Sequence, residues 1–224
     1  MDDTQRMIRL MRRLKVEMNG AVVDSMRQRG LDYPLSYGVS VVTIRDIAGE
    51  FAPDHSLALL LFRQQVRELK LAAAFIDDPG AVTSGQMNEW VRDFTNTEIV
   101  EQVVYALFRH VPGVDAVATE WIKSDDPMRR YAGLLTLASV TGKECPEGQA
   151  VARFAAIDEA VRQPGTNPSV ARAAVNGLRN LAAVSPAMHA RIGEAARSYA
   201  ASDSSWLKEI AEELRWQLEY LDTQ

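Results

Sequence analysis

The sequence predicts an all-α fold: an α-solenoid of antiparallel helix pairs, forming one curved domain over residues 1–224. Three observations point there. Apolar residues recur at three- and four-residue spacing through most of the chain, and no stretch alternates with period two for long. Turn-forming residues fall at regular places and leave room for helices of roughly 10 to 18 residues between them. A basic residue two positions before an alanine returns in Glu68–Phe75 (Lys70, Ala72), Met128–Leu135 (Arg130, Ala132) and Val170–Gly177 (Arg172, Ala174). With Asn96–Val103 filling the place of another inner helix between the first two, the spacing is roughly 30 to 42 residues, the size of a paired-helix repeat.

The elements follow from this punctuation. Arg6–Lys15 is amphipathic and basic and reads as a first helix, although such a segment could also touch phosphates or a membrane surface. Pro34 with Gly30 and Gly38 marks a loop. Val39–Ile44 is β-branched and has strand character, but it runs on into Arg45-Asp46-Ile47-Ala48 and reads better as a helix start. Pro53-Asp54-His55-Ser56 opens a helix and Asp77-Asp78-Pro79-Gly80 closes one. Later breaks stand at Pro112-Gly113, Asp125-Asp126-Pro127, Cys145-Pro146, Pro164-Gly165, Asn167-Pro168 and Ser185-Pro186. Thr83, the Ser124–Asp126 run and Asn167 precede helices as N-caps, where a side-chain oxygen satisfies free N–H groups and a following proline costs nothing. Glu68–Phe75, Asn96–Val103, Met128–Leu135 and Val170–Gly177 become inner helices, with Leu207–Ala211 in a last, capping one. Their small residues permit close packing, and their basic residues could line a concave face.

Composition excludes several classes. Hydrophobic residues make up 47% of the chain and charged ones 25%, too apolar for disorder. No run of about 20 apolar residues predicts a membrane span, and no secretory signal core is expected, so the cytoplasm is the default location. A net charge of −5 argues against a nonspecific polycation but leaves room for a basic patch on one face. The single cysteine, Cys145, permits neither an internal disulfide nor a CxxC zinc site, and lies in a polar loop as a surface thiol. His55, His110 and His189 lie far apart. No Gly-rich phosphate loop or GxSxG motif is present, so no metal and no cofactor are expected.

One set of segments goes further. Tyr37-Gly38-Val39 is followed by Ile44-Arg45-Asp46-Ile47-Ala48. Then come Arg67-Glu68-Leu69-Lys70-Leu71-Ala72 with Ile76-Asp77, and Gln86–Val91 with Phe94. Glu101-Gln102-Val103, Trp121-Ile122 and Arg129-Arg130-Tyr131-Ala132-Gly133 complete it. In order and spacing this set, from about Met26 to about Ser185, resembles the AlkD-like DNA alkylation repair proteins, a branch of the HEAT-like helical repeat proteins. Residues 186–224 would then be C-terminal capping helices. The resemblance implies a concave face that holds duplex DNA. It also implies a glycosylase that releases cationic N3- and N7-alkylated purines without a deep base-flipping pocket. In such a site two tryptophans and a carboxylate flank the damaged nucleotide. Aromatic faces stabilise a cationic base, and the carboxylate stabilises an oxocarbenium-like state.

Carried over residue by residue, the resemblance leaves little of that site. The family's W-D-x-x-D helix aligns with Thr97-Glu98-Ile99-Val100-Glu101, so Thr97 replaces the first aromatic and Glu101 is the retained catalytic carboxylate. Tyr131 stands where the family places an arginine, with Arg130 one position earlier. Asn176, before Gly177-Leu178-Arg179, takes the place of the second tryptophan, and Ser25 that of an N-terminal tyrosine. Lys70, Arg130, Arg172 and Arg179 are the candidate DNA-contacting cations. Arg172 and Arg179 are seven apart and share one helix face. Each of these residues also has a plain reading: Glu101 as an ion-pair partner, Tyr131 and Asn176 as inter-repeat packing, the cations as solvated charges. Trp90, Trp121, Trp206 and Trp216 miss the family's aromatic positions and read as packing residues, the last two alternatively as a dimer contact.

Three functions follow. The first is a DNA repair-like protein that binds damaged, branched or distorted duplex DNA, its glycosylase activity lost or altered. The second is an active glycosylase using Glu101. The third is a noncatalytic helical scaffold for a protein partner, which the acidic net charge favours.

Overall fold

The computed structural model describes residues 2–223. It divides the chain into two compact units, residues 1–112 and 113–224. Among the described residues there is no strand; one isolated bridge joins Leu35 and Val66. The first unit holds α1 (Asp3–Val16), α2 (Gly20–Gln28), α3 (Val41–Gly49), α4 (His55–Phe62), α5 (Arg67–Ile76), α6 (Ser84–Arg92), α7 (Thr97–Ala106) and a 3₁₀ turn at Phe108–His110. The second holds α8 (Val114–Trp121), α9 (Pro127–Val140), α10 (Glu147–Arg162), α11 (Pro168–Ala182), α12 (Pro186–Ala200) and α13 (Ser205–Asp222). The sequence predicts about five pairs and a leading helix; α2 is an addition, started by the Asn19 side chain accepting from the Val22 amide at 3.3 Å.

The helices start where cap chemistry places them. Asp54 caps α4, Thr83 caps α6, Asn96 caps α7 and Asn167 caps α11, each side-chain oxygen accepting from an amide three residues on at 3.0 to 3.2 Å. Asp126 takes the Met128 amide at 2.9 Å ahead of α9, with Pro127 at the first helical position. The β-branched run at Val39–Ile44 resolves as a loop residue, the cap Ser40 and a helix from Val41. Ser40 accepts from the Thr43 amide at 3.1 Å, and α3 carries Ile44 and Ile47 into the core.

In the first unit α5 is central, packed against α3, α4 and α7, while α1 lies on α3 and α4. Nine of its ten residues are buried. Beside it Trp90 stacks on Phe62 with ring centroids 3.9 Å apart and planes nearly parallel, and Phe108 closes the cluster at 6.2 Å. In the second unit α9 packs on α8 and α11, and α11 on α13. Gly133 of α9 permits the first contact: a Cβ there would stand 2.7 Å from the Ala118 carbonyl and 2.8 Å from the Ile122 amide. The alanines after the recurrent basic residues, Ala72, Ala132 and Ala174, are all fully buried, which is the packing role their size suggests.

Candidate functional site

Two of the segments that carry the family resemblance, Tyr37-Gly38-Val39 and Arg67-Glu68, meet around one buried carboxylate. Glu68 accepts hydrogen bonds from the Tyr37, Gly38 and Val39 amides at 3.0, 3.1 and 3.3 Å, and from the Ser36 hydroxyl at 3.1 Å. Arg67 supports it from the next position, its Nη1 donating to Glu68 at 3.0 Å and to the Val39 carbonyl at 2.8 Å. Gly38 sits at φ +72 with the Asn19 carbonyl where a Cβ would be, 2.1 Å away, so only glycine fits. The loop before α3 is thus bonded to the start of α5 by residues that carry the resemblance.

The other side of Arg67 reaches α7, the helix that carries Glu101. Its Nε and Nη2 donate to Glu98 at 2.7 and 2.6 Å, and the Tyr33 hydroxyl donates to Glu98 at 2.8 Å and to Asn96 at 3.1 Å. Burial pulls the Arg67 guanidinium down, but the bonds and charges of Glu98 and Glu68 outweigh it and hold it above its ordinary range. Burial, reinforced by the Glu98 charge, lifts the Tyr33 phenol far above a free tyrosine. Glu98 is therefore committed to the fold. Glu101, three residues on, is half-buried and also has an interaction partner. Thr97, one turn before Glu101 on the same face, is half-buried and presents a small hydroxyl where an aromatic ring is expected.

The candidate cations separate into two kinds. Lys70 is buried; its Nζ donates to the Phe62 carbonyl at 2.8 Å and to Asp93 at 2.9 Å, and lies 4.4 Å from the Phe62 ring. Arg130 is 1% exposed and clamps two loops, donating to the Ser124 carbonyl at 3.1 and 3.0 Å and to the Pro164 carbonyl at 3.0 Å. Burial holds its pKa below an ordinary arginine. These placements put two of the four expected phosphate-contacting cations inside the fold. Arg172 is exposed, and Arg179 is half-exposed with its guanidinium on Asn180 at 3.0 Å. Tyr131 is buried and Ser25 half-buried.

Asn176 is half-buried and borders a cavity of about 500 Å³ between α11 and α13. Arg172 lies on one side and Glu209, Glu212, Glu213 and Trp216 on the other. Trp90 and Trp121 are core residues as expected, but Trp216 is 58% exposed. Helical periodicity carries the signal for this: Leu207, Ile210, Leu214 and Leu218 mark the buried face of α13, and Trp216 falls opposite. Cys145 is half-buried in its loop, 3.5 Å from an Arg153 nitrogen. Among the described residues no group of His, Cys, Asp and Glu could hold a metal ion, and no helix is long and apolar enough to cross a membrane.

Residues 10–209 match the family model described as DNA alkylation repair enzyme. The chain belongs to that family. No curated protein matches it. A solved structure, described as belonging to a new family related to the HEAT-like repeat DNA glycosylases with affinity for branched DNA structures, is 19% identical. That likeness covers 97% of this chain and 96% of the other, with a TM-score of 0.74. The fold of this DNA alkylation repair family member is accordingly the all-α HEAT-like repeat architecture. An engineered protein from a structural genomics consortium, 16% identical over 81% of this chain and 92% of its own, reaches a TM-score of 0.38, too low to bear on the fold.

Proposed function

We propose that this protein binds damaged, branched or otherwise distorted duplex DNA, and that the glycosylase activity implied by its family resemblance is lost or altered. The observation that carries the reading is the pairing of Thr97 with Glu101 on α7: a half-buried carboxylate with a small hydroxyl, not an aromatic ring, one turn away. Asn176 repeats the pattern on α11. A carboxylate without a cation-stabilising wall loses several kcal/mol of transition-state stabilisation, roughly three or more powers of ten in rate. Recognition of DNA shape through phosphates needs no such wall. The related solved structure, described as having affinity for branched DNA, supports the choice of ligand. A cytoplasmic location goes with this reading.

The test is binding of the purified protein to fluorescent duplex, nicked and four-way-junction DNA at two salt concentrations, with methylated DNA assayed in parallel for free base. Salt-sensitive binding without base release is expected. Absence of binding at low salt would overturn the reading and leave the family's activity as ancestry, consistent with a scaffold for proteins.

One observation favours a second reading. The exposed Trp216 indole borders the same cavity as Asn176, so α13 supplies an aromatic face beside a position where the resemblance expects tryptophan. On this second reading the protein is an active glycosylase with Glu101 as its carboxylate. Release of methylated base, lost in both Glu101→Gln and Trp216→Ala, would establish it.

A further inference from the structure

The corner between α1 and α2 exposes apolar side chains that the fold does not bury, together with cations, two of which also face rings of the core: Lys15 Nζ lies 5.6 Å from the Tyr37 ring and the Arg9 guanidinium 5.9 Å from the Phe51 ring. Val16 is 81% exposed and Met18 57%, and Val22 stands beside them at the start of α2. Arg9, Arg12 and Lys15 of α1 and Arg27 of α2 are exposed on the same two helices. Residues 1–30 hold seven of the 25 basic residues and four of the 30 acidic ones, so this end is positive in a chain of net charge −5.

The corner is tied to the rest of its unit. The Asn19 amide donates to the Tyr37 carbonyl at 2.9 Å, and the Asn19 side chain starts α2. Helix α1 is fastened along its length, Arg6 to Asp54 and Arg13 to Glu50, the latter through two bonds at 2.7 and 2.9 Å. Val16 and Met18 point out to solvent from this anchored corner, with Glu17 and Asp24 the acidic neighbours.

We infer that this corner is a DNA-contacting element. Arg9, Arg12, Lys15 and Arg27 take backbone phosphates, while Val16 and Met18 rest against the open base-pair face that a branch point exposes. The inference builds on the DNA-binding function proposed above and names a surface for it. Charge complementarity selects the occupant. A bilayer is a poor fit because the apolar face of α1, Leu10 and Leu14, is buried in the fold, leaving no continuous apolar face to lie in an interface. A protein partner is a poor fit because two apolar side chains on a basic segment do not make the apolar centre of a stable interface. Nucleic acid offers both parts: phosphates for the cations, and at a branch an unstacked face for an apolar wedge.

The test uses fluorescence anisotropy with a four-way junction and a linear duplex, comparing the native chain with Arg12→Glu/Lys15→Glu and with Val16→Ser/Met18→Ser. The charge reversal is expected to weaken both DNAs about tenfold at low salt and to reduce the salt slope by about 2. The serine pair is expected to weaken the junction about threefold or more and leave the duplex unchanged. All four side chains are exposed, so unchanged melting temperatures confirm that the variants fold. Native binding with both variants equal to it overturns this inference alone. No native binding to either DNA overturns it together with the proposed function. Binding to phosphatidylserine vesicles that is lost in the charge reversal, with DNA binding unaffected, assigns the corner to a lipid surface and overturns it too.

Discussion

The Arg67 guanidinium and the Glu98 carboxylate meet through two parallel hydrogen bonds, Nε to Oε2 at 2.7 Å and Nη2 to Oε1 at 2.6 Å. The pair joins α5 to α7, and Arg67 also neutralises the fully buried Glu68. Removing the cation strands two carboxylates, whereas removing one carboxylate's charge leaves Arg67 the other. Arg67→Met is expected to cost about 3–5 kcal/mol in urea unfolding, and Glu98→Gln about 1–2 kcal/mol. Because the two share one contact, the double variant should be less destabilised than the sum of the singles. Strict additivity would mean that the pair contributes no coupling between the helices.

Two helical glycines should respond oppositely to alanine. At Gly133 an added methyl meets backbone, the Ala118 carbonyl at 2.7 Å and the Ile122 amide at 2.8 Å, so α8 and α9 would have to separate. At Gly193, inside α12, the nearest atom is a nitrogen at the far end of the Arg197 side chain, at 3.8 Å. Helix propensity favours alanine at both sites by about 1 kcal/mol. Packing reverses the sign at the first, where overpacking costs about 1–3 kcal/mol. Thermal unfolding should place Gly193→Ala above the native protein and Gly133→Ala below it. A stabilised Gly133→Ala would show that the two helices can move apart freely.

The helices were legible because their causes are local: cap residues, proline at the first turn and three- to four-residue apolar spacing act within one element. Ser40 decides α3 against its β-branched run because a capped amide is a nearest-neighbour matter. The resemblance pointed to Tyr37-Gly38-Val39 and to Arg67-Glu68, but only the fold shows that their link is the carboxylate receiving three loop amides. Burial of Lys70 and Arg130 was not legible. Both stand at positions shared with the exposed Arg172, and what separates them is whether loop carbonyls from distant residues converge on the charge. Trp216 was legible in principle, since the buried leucines of α13 define a face it does not share.

The Asp77 carboxylate gives a pH signature. It accepts from His55 Nδ1 at 2.7 Å, Gln86 Nε2 at 2.7 Å and the Asp78 amide at 2.8 Å, yet burial outweighs these bonds and raises its pKa. The folded protein thus holds this proton to higher pH than the unfolded chain, whose value is about 3.9. The contribution is fully present below that value and is lost as pH rises through the folded one. Asparagine imitates the protonated form at every pH. The melting temperature of Asp77→Asn relative to the native protein should therefore shift in the variant's favour between pH 4 and pH 7. A gap that stays constant, or widens against the variant, would mean that the carboxylate is not destabilised by burial.

Lys70 and Arg172 occupy equivalent places in the sequence pattern and opposite places in the fold, and they should divide stability from DNA binding. Lys70→Met removes the partner of the buried Phe62 carbonyl and of Asp93. It should cost about 1–3 kcal/mol while leaving the DNA affinity of the folded fraction within about twofold of native. Arg172→Ala removes an exposed charge at the edge of the α11–α13 cavity. It should leave the melting temperature within about 1 °C, since surface substitutions rarely exceed about 0.5 kcal/mol. If Arg172 meets a phosphate, its loss should also reduce the salt slope by about 0.9. Urea unfolding and anisotropy on the same preparations separate the two effects. A Lys70→Met protein as stable as the native one but weaker on DNA would mean that the ammonium leaves Asp93 and the Phe62 ring to reach a phosphate.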